Sequence, residues 1–205
     1  MNEKLAILLY IPNVIDYFRL ILIVVAWLNI EKSTIFLTLY LSQAVLDFFD
    51  GYFAKKLNQV SSLGAWLDVV LDNLGRGILW THVSKYGLII SVIEWLAFSC
   101  TQKNGSRWKE TFSQAPFLVR NVFKNNFKTP LGLTTISAGL QGLPVWLYIY
   151  INFNTQVTGY IATLFHGILV YCAFGRLICL LVELWVIFKN LEFLIDDDLK
   201  EKKTQ

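Results

Sequence analysis

The sequence predicts an all-α integral membrane protein, with a bundle of about six transmembrane helices and a short N-terminal interfacial helix. Hydrophobic residues make up 55% of the chain and charged residues 16%, whereas soluble domains are about a quarter charged. The mean hydropathy is +0.50. No Asp, Glu, Lys or Arg occurs from Thr129 to Gly175, a stretch long enough for two spans of about 20 residues each.

The apolar segments follow one another along a single predicted domain that covers residues 1–205. Residues 2–9 fit a short interfacial helix within an N-terminal segment 1–13, in which Ile11-Pro12-Asn13 forms a break before the first span. Residues 189–205 form a charged C-terminal tail. The six predicted spans lie at residues 14–29, 34–56, 63–82, 86–100, 131–151 and 157–188.

The distribution of basic residues sets the predicted orientation of these spans. With the N-terminus in the cytosol, the basic clusters all fall in cytosolic connections or in the tail, and the opposite side receives only Lys32 and Lys85. This asymmetry follows the positive-inside rule, so both termini are expected in the cytosol. The tail ends Lys202-Lys203-Thr204-Gln205, which resembles a dilysine retrieval signal of the endoplasmic reticulum, although an ordinary solvated tail explains it equally well. The net charge of +3 is mild, and we expect a lipid bilayer rather than a nucleic acid as partner.

Two pairs of aspartates at the facing ends of the second and third spans are the most informative polar residues. Asp47 and Asp50 are three residues apart, and Asp68 and Asp72 are four apart, so each pair lies on one face of its helix. A carboxylate at membrane depth is costly and normally marks a functional site. Hard oxygen ligands suit Mg²⁺, Mn²⁺ or Ca²⁺, and four carboxylates match a two-metal site for phosphoryl displacement.

Three small residues accompany the aspartates. Gly51, Ala54 and Gly64 would let a nucleotide or pyrophosphate approach the backbone. Small residues also permit close packing of membrane helices, which explains any one of them alone. Their clustering beside four aspartates favours a ligand site.

The pattern Asp-x2-Asp-Gly-x2-Ala-[basic]-x8-Gly-x3-Asp-x3-Asp resembles the signature of the CDP-alcohol phosphatidyltransferase family. The chain fills every fixed position except one, because Lys55 stands where the family has Arg. The resemblance implies transfer of a phosphatidyl group from a CDP-linked lipid to an alcohol, with release of CMP. It further implies that Asp47, Asp50 and Asp68 ligate metal, and that Asp72 accepts the proton of the attacking hydroxyl and also contacts metal.

The same resemblance implies a two-metal site with Mg²⁺ or Mn²⁺ and CDP-diacylglycerol as the donor. Gly51, Ala54, Lys55 and Gly64 would contact the CDP-lipid, although Lys cannot give phosphate the planar bidentate contact that Arg gives. The spans, the dilysine sequence and the charge placement together predict a multi-pass protein of the endoplasmic reticulum membrane with its site facing the cytosol. Family members are often homodimers, and nothing in this sequence independently indicates a dimer.

Within the family, the chain is most similar to the eukaryotic phosphatidylinositol synthases, over roughly residues 10–76. This implies myo-inositol as the acceptor. Three departures leave open a different alcohol, or a non-catalytic paralogue that acts as a scaffold or regulator. Asp16 stands where these enzymes have Gly, Leu71-Asp72-Asn73 stands where they have Thr-Asp-Arg, and residues 102–107 lack their His-Lys pair.

Three arginines complete the candidate site. Arg19 could pair with Asp16 or could contact a lipid or nucleotide phosphate, and Arg76 could replace the arginine missing after Asp72. Arg176 is a distal candidate for a phosphate or acceptor contact. A divalent-cation transporter also needs intramembrane carboxylates, but it would carry them along a path or in a repeat, which this chain does not.

Overall fold

The computed structural model is helical throughout the residues that it describes, which are 3–102, 115–125, 127–153 and 159–204. This confirms the all-α class for those residues, none of which lies in a strand. A π-helical segment, Thr134–Gly142, separates α7 from α8. The α-helices are α1 Glu3–Leu8, α2 Ile11–Leu28, α3 Ser33–Lys56, α4 Ser62–Val83, α5 Gly87–Gln102, α6 Phe117–Phe123, α7 Pro130–Leu133, α8 Leu143–Asn152 and α9 Tyr160–Thr204.

Each predicted span overlaps a helical segment, with two differences at the ends. The predicted break at Ile11-Pro12-Asn13 is wrong, because α2 begins at Ile11 and a proline is tolerated in the first turn of a helix. The predicted tail continues α9 without interruption to Thr204, since its Leu, Glu and Lys residues favour helix. By length and apolar composition, Ile11–Leu28 and Tyr160–Lys202 could cross a membrane.

Contacts within the chain group into two compact units, Met1–Ile78 and Leu79–Gln205, and α4 crosses from one into the other. The single domain over residues 1–205 therefore stays a prediction. Two predicted features lie partly outside the described residues. They are the basic connection after the fourth span, of which residues 103–114 are not described, and the dilysine sequence, of which Gln205 is not described.

In the first unit, α2 packs against α3, and a tight connection turns the chain from α3 into α4. Asn58 adopts a left-handed conformation, with φ of 53°. The Gln59 N–H then donates to the Ala54 carbonyl at 2.9 Å, as in a Schellman end. The Gly64 N–H donates to Ser61 Oγ at 3.0 Å, which caps the start of α4. These local bonds fix the separation of the two aspartate pairs.

The same connection is fastened to the start of α2. Gln59 Oε1 accepts a hydrogen bond from the Ile11 backbone N–H at 2.9 Å. A helix leaves its first N–H groups without intrahelical partners, so the side chain of Gln59 supplies an acceptor for one of them. The hydrogen bond keeps the first turn of α2 beside the beginning of α4.

In the second unit, the π-helical segment and α9 approach at backbone contact. A side chain on Gly139 would overlap the backbone of Gly175, and one on Gly175 would lie 2.6 Å from the Thr134 carbonyl oxygen. Small residues allow such an approach in membrane helices. A buried apolar cluster lies elsewhere in this unit and contains Ala115, Val119, Val122, Ile178, Val182 and Val186.

Candidate active site

The centre of the site is the guanidinium group of Arg19, whose side chain is fully buried. Its Nη1 lies 3.0 Å from Asp16 Oδ1, 2.7 Å from Asp50 Oδ2 and 3.1 Å from Asp68 Oδ1. Its Nη2 lies 2.9 Å from Asp72 Oδ1 and also pairs with Asp47. One arginine thus joins all four aspartates of the sequence motif and a fifth that lies outside it.

Three helices supply these carboxylates. Asp16 and Arg19 stand one turn apart on α2, while α3 contributes Asp47 and Asp50 near its C-terminal end. The first half of α4 contributes Asp68 and Asp72. Contact of both pairs with one guanidinium confirms that α3 and α4 fold back on each other with their aspartates facing.

The site is graded from buried to accessible. The side chains of Asp16 and Asp50 are 2% and 8% exposed, whereas those of Asp47 and Asp68 are 38% and 46% exposed. A ligand could therefore reach Asp47 and Asp68 from outside, and Asp16 and Asp50 form the inner wall.

The donor set fits a divalent cation. One carboxylate oxygen from each of Asp47, Asp50 and Asp68 lies within 4.8 Å of the others, and three convergent carboxylates suit Mg²⁺ or Mn²⁺. Five carboxylates face two guanidinium groups, those of Arg19 and Arg76. The excess negative charge is what bound cations would neutralise.

Asp72 differs from the other three motif aspartates in its surroundings. Its Oδ1 pairs with Arg19, and its Oδ2 lies 3.2 Å from Nη1 of Arg76, one turn further along α4. Nη2 of Arg76 donates to Asn73 Oδ1. Arg76 therefore reaches Asp72 from its displaced position, as the sequence suggested that it could.

A cavity of about 150 Å³ opens beside the aspartates. The four residues predicted to contact the CDP-lipid all line it, together with Asp16, Asp50 and Asp68: Gly51, Ala54, Lys55 and Gly64. A side chain added to Gly51 would meet no atom within 4 Å. The backbone at Gly51 is thus open to a ligand, while Lys55 places a positive charge at the wall.

Asn13, to which no sequence motif pointed, also lines the cavity. Asn13 is fully buried, and its Nδ2 donates to the Ile7 carbonyl at 2.6 Å. Its Oδ1 has no hydrogen-bond donor and would lie 2.8 Å from a side chain added to Gly64. Gly64 is therefore required by close packing as well as being part of the cavity.

The second unit contains a separate buried ionic group around Arg176. Its Nη1 lies 2.9 Å from Glu183 Oε2, and its Nη2 lies 3.4 Å from Glu94 Oε1. The Trp80 indole also donates to Glu94 at 3.2 Å. The sequence analysis proposed Arg176 as a phosphate or acceptor contact. Both terminal nitrogens of Arg176 pair with carboxylates in the structure. A contact between Arg176 and a phosphate or the acceptor stays a prediction.

Comparison with known proteins agrees with this geometry. The model of the CDP-alcohol phosphatidyltransferase family matches residues 9–106, a segment that contains every aspartate of the site. Over this segment the chain is similar to the CDP-alcohol phosphatidyltransferases. The resemblance predicted from the motif is therefore confirmed.

Several curated phosphatidyltransferases are similar to the chain over this segment. The CDP-diacylglycerol–inositol 3-phosphatidyltransferase 1 of Arabidopsis thaliana is 38% identical over 84 residues, 40% of this chain and 37% of the relative. The corresponding inositol enzyme of Saccharomyces cerevisiae is 46% identical over 67 residues, 32% of this chain and 30% of the relative. A CDP-diacylglycerol–glycerol-3-phosphate 3-phosphatidyltransferase from Wigglesworthia glossinidia brevipalpis is 37% identical over 71 residues, 32% of this chain and 39% of the relative.

The chain spans roughly a third of the length of these phosphatidyltransferases. The matched segment holds the carboxylates and the cavity, and two relatives that share it have different acceptors in their names. A comparison with solved structures finds no significant match.

Proposed function

We propose that the chain transfers the phosphatidyl group of CDP-diacylglycerol to an alcohol, with myo-inositol as the acceptor and CMP as the second product. The observation that carries this proposal is the convergence of four motif aspartates from two helices beside a cavity lined by Gly51, Ala54, Lys55 and Gly64. The names of the relatives from Arabidopsis and yeast support inositol.

The reaction is a displacement at phosphorus. The acceptor hydroxyl oxygen forms a bond to the phosphorus that carries the diacylglycerol, and the bond from that phosphorus to the CMP oxygen breaks. CMP leaves with the bonding electrons, and the hydroxyl proton passes to a base. Asp72 is suited to this role, because its carboxylate is partly exposed and Arg19 and Arg76 hold one oxygen each.

The remaining aspartates are suited to hold two divalent cations, Mg²⁺ or Mn²⁺. Asp47, Asp50 and Asp68 would supply three convergent carboxylates, and Asp72, which pairs with the same guanidinium, would complete the set. Bound cations would stabilise the charge on the attacking and leaving oxygens. Lys55 would face the phosphates of the CDP-lipid, as a single positive charge in place of a bidentate arginine.

The cavity accounts for the nucleotide half of the donor. Gly51 leaves room at the backbone, and the unpaired Asn13 Oδ1 offers an acceptor on the inner wall. Lys55 lies at the same cavity, so a polar nucleotide would meet a cation there as well as the Asn13 acceptor, beside the carboxylates of the site. The acyl chains would remain among the exposed apolar side chains of the helices.

A different acceptor is the second candidate for this site. The relative from Wigglesworthia, which names glycerol 3-phosphate, matches the same segment. The chain also departs from the inositol enzymes at residues 102–107, of which 103–107 lie outside the described residues. We keep a changed acceptor, and a non-catalytic paralogue, as the alternatives that an activity measurement separates.

The setting that we propose is a six-span protein of the endoplasmic reticulum membrane with its site facing the cytosol. The two long apolar helices and the placement of lysines and arginines in the sequence support it. A donor with acyl chains and a charged nucleotide requires a site near the membrane boundary. A homodimer is also proposed, on the family resemblance alone.

The test is CMP release from CDP-diacylglycerol by the purified full chain with Mg²⁺ or Mn²⁺. The acceptors compared are inositol, glycerol 3-phosphate, serine, choline and ethanolamine, and Asp72→Asn is the control. We expect release that requires inositol and that falls by at least about a hundredfold in the variant, which loses its base.

The outcomes separate the alternatives. Release with another alcohol would keep the reaction and replace the acceptor. No release with any of the five, in protein that is folded and binds Mn²⁺, would favour the non-catalytic paralogue. A divalent-cation transporter would instead retain cation flux in Asp72→Asn.

A further inference from the structure

Asp16 is the innermost carboxylate of the site and lies outside the family motif. It stands one turn before Arg19 on α2, is 2% exposed and accepts from Arg19 Nη1 at 3.0 Å. The same nitrogen donates to Asp50 at 2.7 Å. Asp16 therefore lies beside the most buried of the proposed metal ligands without being a member of the group that converges on a cation.

The charge of Arg19 works against cation binding. An arginine stays protonated at all ordinary pH values, and this one contacts all four motif aspartates. A guanidinium held among metal ligands reduces their negative charge and so weakens their attraction for a divalent cation. Burial strengthens this effect, because a fully buried charge is poorly screened by solvent.

The Asp16 carboxylate carries a charge opposite to that of Arg19 and stands one turn before it on the same helix. This carboxylate and the guanidinium together are formally neutral, so the four motif aspartates keep their full charge for cations. The compensating carboxylate thus comes from outside the motif of four aspartates.

We propose that Asp16 offsets the charge of Arg19 and thereby strengthens the binding of divalent cations by the neighbouring aspartates. This inference rests on the proposed function, which assigns Asp47, Asp50 and Asp68 to metal. Asp16 has no role in the chemical step. It acts on the affinity of the site through Arg19, as buried partners of metal ligands do in other proteins.

The test is titration of the purified full chain with Mn²⁺ alone, followed by electron paramagnetic resonance, without any lipid or nucleotide. The variants are Asp16→Asn, which removes the charge at constant shape, and Asp16→Gly, which removes the whole side chain. We expect Mn²⁺ affinity to fall by about 10- to 100-fold in both, the range typical for loss of a partner behind a metal ligand.

Glu183→Gln is the matched control. Glu183 is also a buried carboxylate on a buried arginine, at 2.9 Å from Arg176 Nη1, so its loss costs stability in the same way but leaves the aspartates untouched. We expect its Mn²⁺ affinity to equal that of the wild type. Thermal unfolding of every variant without metal checks that affinity is compared among folded proteins. If Asp16→Asn does not fold, the Mn²⁺ affinity of Asp16→Gly decides the test.

The outcomes distinguish this inference from the proposed function. If the wild type binds Mn²⁺ and the Asp16 variants bind it with the same affinity, the role of Asp16 is overturned and the metal site stands. An equal loss in Glu183→Gln would reduce the effect to general destabilisation and also overturn it. Absence of Mn²⁺ binding by the wild type would overturn both.

Discussion

Arg19 is the residue on which the first unit depends most. Its guanidinium neutralises part of a group of five aspartates contributed by three helices, and no water reaches it. Breaking a buried ion pair by removing one partner costs more than the pair contributes, because the other charge stays buried and uncompensated. Here one truncation would leave the two buried carboxylates, Asp16 and Asp50, without this cation.

We therefore expect Arg19→Gln to destabilise the protein by about 3–5 kcal/mol without metal. Addition of Mg²⁺ should restore much of this loss, since the cation supplies the missing positive charge to the same carboxylates. Thermal unfolding in detergent with EDTA and with Mg²⁺ measures both effects. Lys189→Gln, which removes a lysine paired at the surface with Glu192, should change stability by no more than about 0.5 kcal/mol.

Gly51 and Gly64 line one cavity but should respond differently to substitution. A Cβ at Gly64 would lie 2.8 Å from Asn13 Oδ1, whereas one at Gly51 meets nothing within 4 Å. We expect Gly51→Ala to keep or raise thermal stability, because alanine favours helix by about 1 kcal/mol over glycine. It should nevertheless weaken the binding of CDP by filling the space left for the ligand.

Gly64→Ala should instead lower stability before any nucleotide is added, because the new Cβ would press on Asn13 Oδ1, and the hydrogen bond from Asn13 to the Ile7 carbonyl would have to shift. Isothermal titration with CDP and thermal unfolding of both variants measure the contrast. Unchanged CDP affinity in Gly51→Ala would argue against a nucleotide in this cavity.

At the scale of helices, the second unit is held by a backbone contact between the π-helical segment and α9. Gly139 and Gly175 leave no space for a methyl group at this crossing. The π-helical geometry widens the turn that carries Gly139, and such segments are rare in proteins. The crossing therefore requires glycine on both sides.

We expect Gly139→Ala and Gly175→Ala each to destabilise the protein by about 1–3 kcal/mol, the usual cost of overpacking. Gly167→Ala is the matched control, because Gly167 lies on the same helix as Gly175 and an added side chain there meets nothing within 4 Å. It should be neutral or stabilising. Thermal unfolding of the three variants decides whether the contact is as close as described.

Arg176 connects α5 to α9 through Glu94 and also bonds Glu183 within α9. Arg176→Met alone should cost about 3–5 kcal/mol, because it leaves two buried carboxylates without their cation. The double variant with Glu183→Gln should lose less than the sum of the two single variants, since the pair is coupled. Additive losses in a double-mutant cycle would contradict the described contact.

At the scale of the whole chain, local features followed from the sequence and long-range contacts did not. The spacing of Asp47, Asp50, Asp68 and Asp72 predicted their common face, because helical periodicity decides it. The contacts of Arg19 with residues 28 to 53 positions away, from Asp47 to Asp72, depend on how three helices pack. The same holds for Gly139 and Gly175, whose approach no local pattern indicates.

The extent of α9 illustrates another limit of the sequence analysis. Charge placement predicted a tail from residue 189, but charge and helix formation are independent properties. Residues such as Leu191 and Leu199 continue the helix while remaining exposed. A hydropathy change therefore marks where an apolar span could end, and it does not mark where the helix ends.

The two units give the last prediction, which concerns how cation binding is distributed along the chain. The carboxylates that would bind a cation all belong to residues 1–78. A ligand stabilises the segments whose opening releases it. We expect Mg²⁺ to slow amide hydrogen exchange in α2, in α3 and in the first half of α4, and to leave the crossing at Gly139 and Gly175 unchanged. Equal protection of that crossing would contradict this prediction and would mean that both units open together. As a control, Asp50→Asn removes a proposed ligand of the cation and should abolish the protection by Mg²⁺ wherever it occurs.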